Sequence, residues 1–238
     1  MRDRAAILAA ARNYPYEIPA SSYVYSKKGL LDFDPALRET RTPVLAIGSN
    51  QSPARLAQKF GHDASHVIPV QRAELEDFDV VYSAHISRYG AVPAMLQHAP
   101  GARVTIAVTW LDDAQLEIMN ESELSAANYS FALLEDLVLR LDDGDEVERV
   151  HAYVSSRGHL SAGGGPPIGL AAIPCRGRRC RSMSTAEALE VVRERTAPET
   201  GADDFVIRLV SDDSFRHEVI RRLGEDAVPF DYPHRLVG

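Results

Sequence analysis

Residues 42–56 read "TPVLAIGSNQSPARL", and the fold turns on how that stretch is read. "PVLAIG" is an unbroken apolar run bounded by turn residues, which suits a strand buried on both faces. Ser52 then offers an N-cap and Pro53 a first helical residue, so "ARLAQKF" continues as a short helix up to Gly61. Between strand and helix lies the corner Gly48-Ser49-Asn50. Such a corner can simply redirect the chain. It can also present backbone N–H groups to a ligand, at a helix end whose dipole favours negative charge.

Strand-like runs follow at short spacing: "HVIPVQ" (66–71), "FDVVYSAHI" (78–86), "GAVPAML" (90–96) and "ARVTIAVTWL" (102–111). They are rich in β-branched and aromatic residues, and turn signals at Arg88-Tyr89-Gly90 and Pro100-Gly101 separate them. This pattern predicts a small barrel or a strongly curved sheet. In "DDAQLEIMNESEL" (112–124) the period changes, with Leu116, Met119 and Leu124 near helical spacing, giving a helix of two or three turns. "YSFALLEDLVLRL" (129–141) fits strand or helix, and "VERVHAYVSS" (147–156) reads as a strand. The glycine-rich stretch 158–170 is a loop that lacks the Lys-Ser or Lys-Thr ending of a nucleotide-binding loop. Ser184 and Glu187 form a capping-box pattern before a helix to about Thr196, and "DSFRHEVIRRLGE" (213–225) reads as an amphipathic helix ended by Gly224. Ahead of Thr42, a helix from Asp3 to Asn13 leads into an irregular, Tyr- and Pro-containing arm expected to wrap the surface. The expected division is an N-terminal helix and arm (1–41), a barrel domain (42–175) and a helical C-terminal extension (176–238).

Composition narrows the function. The 238 residues are 45% hydrophobic and 25% charged, so the chain can bury a full core. With 34 acidic against 26 basic side chains the net charge is -8, which argues against a nucleic-acid partner, since such binding rests on neutralised phosphates. No apolar run approaches the eighteen or so residues of a membrane span. The start, with Asp3 between Arg2 and Arg4 and only a short apolar centre, does not read as a signal peptide, so a cytoplasmic location is expected. Cys175 and Cys180 have the wrong spacing for a zinc knuckle and read as loop thiols, with neighbouring arginines lending some thiolate character. His85, His98, His151 and His159 are scattered singly, so no metal site and no cofactor are expected. The cluster Arg176, Arg178, Arg179 and Arg181 is the strongest local positive charge, read as a solvated loop or an anion site. Oligomeric state stays open.

Two acids sit at the end of the 112–124 helix. Glu121 and Glu123 are two apart, so they point in different directions, and one of them can reach inward. A carboxyl aimed into an apolar mouth is the kind of group a general base requires. Taken alone, the pair also fits a solvated helix end.

The order of these blocks resembles the γ-glutamylcyclotransferase-like proteins. In that family a strand ends in Tyr-Gly-Ser-Asn, a glycine-bearing apolar block follows, and a strand, turn and helix deliver the catalytic acid. Here Gly48, Ser49 and Asn50 match the corner, Gly90 to Ala94 the second block, and Leu116, Met119, Asn120 and Glu123 the third. The resemblance spans about residues 42–153. It implies an α+β fold with a small mixed β-barrel flanked by helices, catalysis by Glu123 without a cofactor, and binding by Ile47, Gly48, Ser49, Asn50, Gly90 and Tyr129. The implied reaction cyclises a γ-glutamyl or related small acidic amide, releasing 5-oxoproline and an amine. The implied alternative is a non-catalytic small-anion binding or interaction module on the same fold. Ile47 stands where the family has tyrosine, Ile106 where glycine is usual, and Asn120 in place of an aspartate.

Overall fold

The computed structural model describes residues 3–125, 127–161 and 163–237. In chain order its elements are α1 (Arg4–Arg12), β1 (Tyr23–Ser26), β2 (Gly29–Asp32), β3 (Thr42–Ala46), α2 (Pro53–Phe60), β4 (Val67–Tyr82), β5 (Ala94–Leu111), α3 (Asp113–Leu124), β6 (Tyr129–Leu134), β7 (Leu139–Leu141), β8 (Glu146–Val147), β9 (Val150–Ser155), β10 (Gly169–Leu170), β11 (Cys175–Arg176), β12 (Ser182–Met183), α4 (Thr185–Thr196), α5 (Ala202–Ser211), α6 (Asp213–Leu223) and β13 (His234–Leu236). The fold is α+β, one large mixed sheet with six helices among the described residues.

The spine of the sheet runs β12-β10-β4-β5-β3-β9-β6-β13. Most neighbours are antiparallel, while β3 runs parallel to β9 and β10 parallel to β12. No hydrogen-bonded pair among the described residues joins the two ends of this path, so the sheet is open where a small closed barrel was expected. The four strands expected between 66 and 111 are two. β4 and β5 form one long hairpin, and its register shifts between Glu76 and Phe78. Asp77 sits there at φ 60 and its carboxylate accepts from the Gly101 N–H at 2.7 Å. The Pro100-Gly101 turn signal therefore marks a bulge that bends the ladder instead of ending it.

The arm also departs from expectation. "YVYS" is a strand, and Tyr23, Val24 and Tyr25 are buried where β1 pairs with β4. The ambiguous 129–141 segment forms β6 and β7. α5 was not expected, although it buries Phe205, Val206 and Leu209 on one face. α1 is tied to α5 by Arg4–Asp204 and Arg12–Asp203 ion pairs. Beneath them Gly90 has φ 85, and a Cβ there would lie 2.9 Å from Val210, so the turn needs glycine to let the helices close. Among the described residues no helix is long and apolar enough to cross a membrane.

Candidate active site

β3 is buried from Val44 to Ala46, and the chain leaves it through Ile47 and Gly48 into a 3₁₀ turn at Ser49–Gln51 before α2 begins. α3 arrives from β5 through a capping box. Asp112 accepts from the Gln115 N–H at 2.9 Å, and the Gln115 side chain accepts from the Asp112 N–H. This fixes the helix rotation, so that Glu121 is exposed while Glu123 turns inward. Corner and helix end share a cavity of about 320 Å³. Ile47, Gly48, Ser49, Asn50, Glu123 and Tyr129 all line it. Gly90 is not in its wall and instead faces Val210 and Ala11.

One oxygen of Glu123 is fully engaged. Oε1 accepts from Lys59 Nζ and from Asn50 Nδ2, the latter at 3.2 Å. Oε2 has no protein donor among the described residues. Lys59 comes from α2, where it shares a face with Leu56 and Phe60, and its side chain is only 3% exposed. Burial alone would push the Glu123 carboxyl up. The Lys59 ammonium, the hydrogen bonds from Lys59 and Asn50, and the field of Arg55 together outweigh it and hold Glu123 below the usual carboxylate range. Burial draws the Lys59 ammonium down, opposed by its contact with Glu123. The pair is an ionised carboxylate resting on a buried cation.

Four tyrosines surround this carboxylate. Tyr129 donates to the Ala94 carbonyl at 3.0 Å and Tyr153 to Asn120 Oδ1 at 2.7 Å. Tyr89 lies under the Arg55 guanidinium, 5.7 Å from ring centroid to cation. Tyr14, from the N-terminal arm, is wedged against the corner. Arg55 and Arg88 also line the cavity, and neither has a carboxylate partner among the described residues. No three His, Cys, Asp or Glu side chains among the described residues are grouped as metal ligands.

His85 is a further contributor that was not expected, beside Lys59, Tyr14, Tyr89, Tyr153, Arg55 and Arg88. It lines the cavity at 2% exposure, with Nδ1 3.0 Å from Ser83 Oγ, which is 2.8 Å from Ser155 Oγ. Burial, aided by Arg157, pulls this imidazole down to about 3, against a weaker pull upward from Glu123. In the unfolded chain it titrates near 6.5. Between those values the unfolded state holds the extra proton, so stability is full above pH 6.5 and falls on acidification. The expected slope from this one residue is about 1.4 kcal/mol per pH unit. Denaturant midpoints from pH 7 to pH 4.5 should fall less steeply in His85→Gln than in the native protein. Parallel lines would show that His85 is not held neutral.

No protein-family model matches the chain, and no curated protein matches it. Among solved structures it is similar to a gamma-glutamyl cyclotransferase, at 15% identity over 82% of this chain and 93% of that one, with a TM-score of 0.39. It is also similar to an uncharacterized protein from Homo sapiens, at 15% identity over 84% and 95% of the two chains and a TM-score of 0.41. An Arabidopsis thaliana protein solved in solution matches 49% of this chain and 70% of its own at 15% identity, with a TM-score of 0.37. Likeness at this distance carries neither substrate nor reaction, which have to come from the side chains in the cavity.

Proposed function

We propose that this chain is a cofactor-free cyclotransferase acting on a γ-glutamyl amide or a related small acidic amide. The observation that supports it is the Glu123 carboxylate, anchored through Oε1 and open at Oε2, in a cavity walled by residues 47–50. The nucleophile of such a reaction is tethered to its own target, so the protein has to fold the substrate and move protons. Glu123 Oε2 takes a proton from the substrate α-ammonium, and the freed amine attacks the γ-carbonyl to form the five-membered ring. The C–N bond to the leaving amine then breaks as Glu123 returns the proton to that nitrogen, and the second proton of the ring nitrogen is shed through the same carboxylate to solvent. 5-Oxoproline and a free amine leave, and Glu123 is again a carboxylate.

Lys59 sets the balance of those two steps. A carboxyl held low in pKa is a modest base and a strong acid, so Lys59 favours protonation of the leaving nitrogen over capture of the first proton. The test is 5-oxoproline release by the purified protein from γ-glutamyl dipeptides, γ-glutamylamines and glutathione. Release from at least one of them is the expected result.

A second reading is favoured by one observation. The cavity holds Arg55 and Arg88 beside an acid that Lys59 already neutralises, so its unbalanced charge is positive and it suits an anion held without turnover. No release across the panel, combined with thermal stabilisation by small dicarboxylates, would select that module.

A further inference from the structure

Ile47 gives the corner no hydroxyl, yet a phenol stands there. Tyr14 Oη is packed so closely on Gly48 that a Cβ at this position would overlap it, and that Cβ would also lie 3.0 Å from Ala94 Cβ. The oxygen is used as an acceptor: the Ala94 N–H donates to it at 2.9 Å. The two backbone groups of Ala94 thus serve two tyrosines in opposite senses, the N–H giving to Tyr14 and the carbonyl accepting from Tyr129. Tyr129 and Tyr153 have their protons committed to protein oxygens. The Tyr14 proton has no acceptor among the described residues, and its ring lines the cavity.

The placement of Tyr14 is also enforced through its backbone. Its carbonyl accepts from Thr185 Oγ1 at 2.7 Å, and that hydroxyl is 3.1 Å from Tyr82 Oη, which donates to the Met183 carbonyl. Thr185 is the first residue of α4, so the C-terminal helices fix the arm and the arm fixes the phenol.

We propose that the Tyr14 hydroxyl is a catalytic hydrogen-bond donor, directed at the carbonyl oxygen of the amide under attack and stabilising the negative charge that builds there. It rests on the cyclotransferase reading and names a part of that site contributed from outside the strand–corner–helix unit. The corner's amide side chain is engaged within the protein, since Asn50 Nδ2 holds Glu123. The Ala94 N–H polarises the phenol: an O–H whose oxygen accepts an N–H is a better donor. Burial pushes the Tyr14 phenol well above its usual range, so it stays protonated and does not compete with Glu123 as a base.

The experiment compares the full-length native protein with Tyr14→Phe, Gly48→Ala and Tyr16→Phe. Gly48→Ala displaces the hydroxyl from the other side, which covers the case in which Tyr14→Phe folds poorly. Tyr16 is on the same arm but outside the cavity wall, with its hydroxyl 3.4 Å from the Ala10 carbonyl. Loss of one such donor should lower kcat for 5-oxoproline release by about 10²–10³-fold, with KM nearly unchanged, in the first two variants and not in the third. Native kcat in Tyr14→Phe would overturn the proposal while leaving the cyclotransferase reading in place. If the native protein releases nothing, that reading fails, and calorimetric binding of 5-oxoproline itself decides. Binding weakened about fivefold to tenfold in Tyr14→Phe supports a donor to the lactam carbonyl, and equal binding, or none, overturns it.

Discussion

Glu123→Gln is expected to reduce 5-oxoproline release by about 10²–10⁴-fold, the range over which a positioned acid–base group acts. The same substitution should cost stability, on the order of 3 kcal/mol, because it leaves Lys59 as an unpaired cation at 3% exposure. Lost activity alone would then be ambiguous, and a second substitution removes the ambiguity. Lys59→Met keeps the unbranched stem against Met119 and Leu56 and deletes the charge. In Lys59→Met/Glu123→Gln no charge is left buried and unpaired at this site, so the denaturant midpoint should return toward the native value while release stays lost. Lys59→Met alone leaves burial to dominate at Glu123, so its carboxyl rises and the acid limb of kcat/KM moves to higher pH. A Glu123→Gln protein that turns over at the native rate would remove Glu123 from the chemistry.

The part of this site that was legible in the sequence is the part made by neighbours in the chain. The run "PVLAIG", the Ser52-Pro53 signal and the change of period at Asp112 place β3, α2 and α3 with boundaries close to those observed. The spacing of Glu121 and Glu123 correctly separates an outward from an inward acid. Lys59 carried a signal that went unread: it recurs with Leu56 and Phe60 on one helical face, and a lysine on an apolar face needs a buried partner. Tyr14 carried none, because its partner Ala94 is 80 residues away and contacts of the N-terminal segment with α4 and α5 bring them together. The four expected strands merged into two for the same kind of reason. Pro100-Gly101 looks the same in a turn and in a bulge, and it is the contact with Asp77 across the hairpin that selects the bulge.

The arginine-rich segment 176–181, expected as a solvated loop or an anion site, holds its anion within the chain. Arg178 makes a two-pronged pair with Asp79 on β4, Nε to Oδ2 at 2.8 Å and Nη2 to Oδ1 at 2.7 Å, and donates again to the Ile173 carbonyl. The two side chains are 11% and 3% exposed. Asp79→Ala therefore strands a guanidinium in the interior, and a loss of about 3–5 kcal/mol is expected, a fall in Tm on the order of 10 °C for a chain of this size. Asp79→Leu/Arg178→Met, which removes both charges, should recover most of that loss. The thiols supply an independent readout. Burial, with the Asp79 charge beside it, pushes Cys175 up to about 12 and raises Cys180 in the same direction, so the neighbouring arginines do not make either a thiolate. Asp79→Asn deletes the charge with little change of volume, so both thiols should react faster with a neutral disulfide reagent at fixed pH. The Glu123 cavity does not include Asp79, so turnover per folded molecule should stay native in all three variants. Native Tm and native thiol rates in Asp79→Asn would mean that the segment is held by its backbone pairing, β11 on β5 and β12 on β10, and not by the charge.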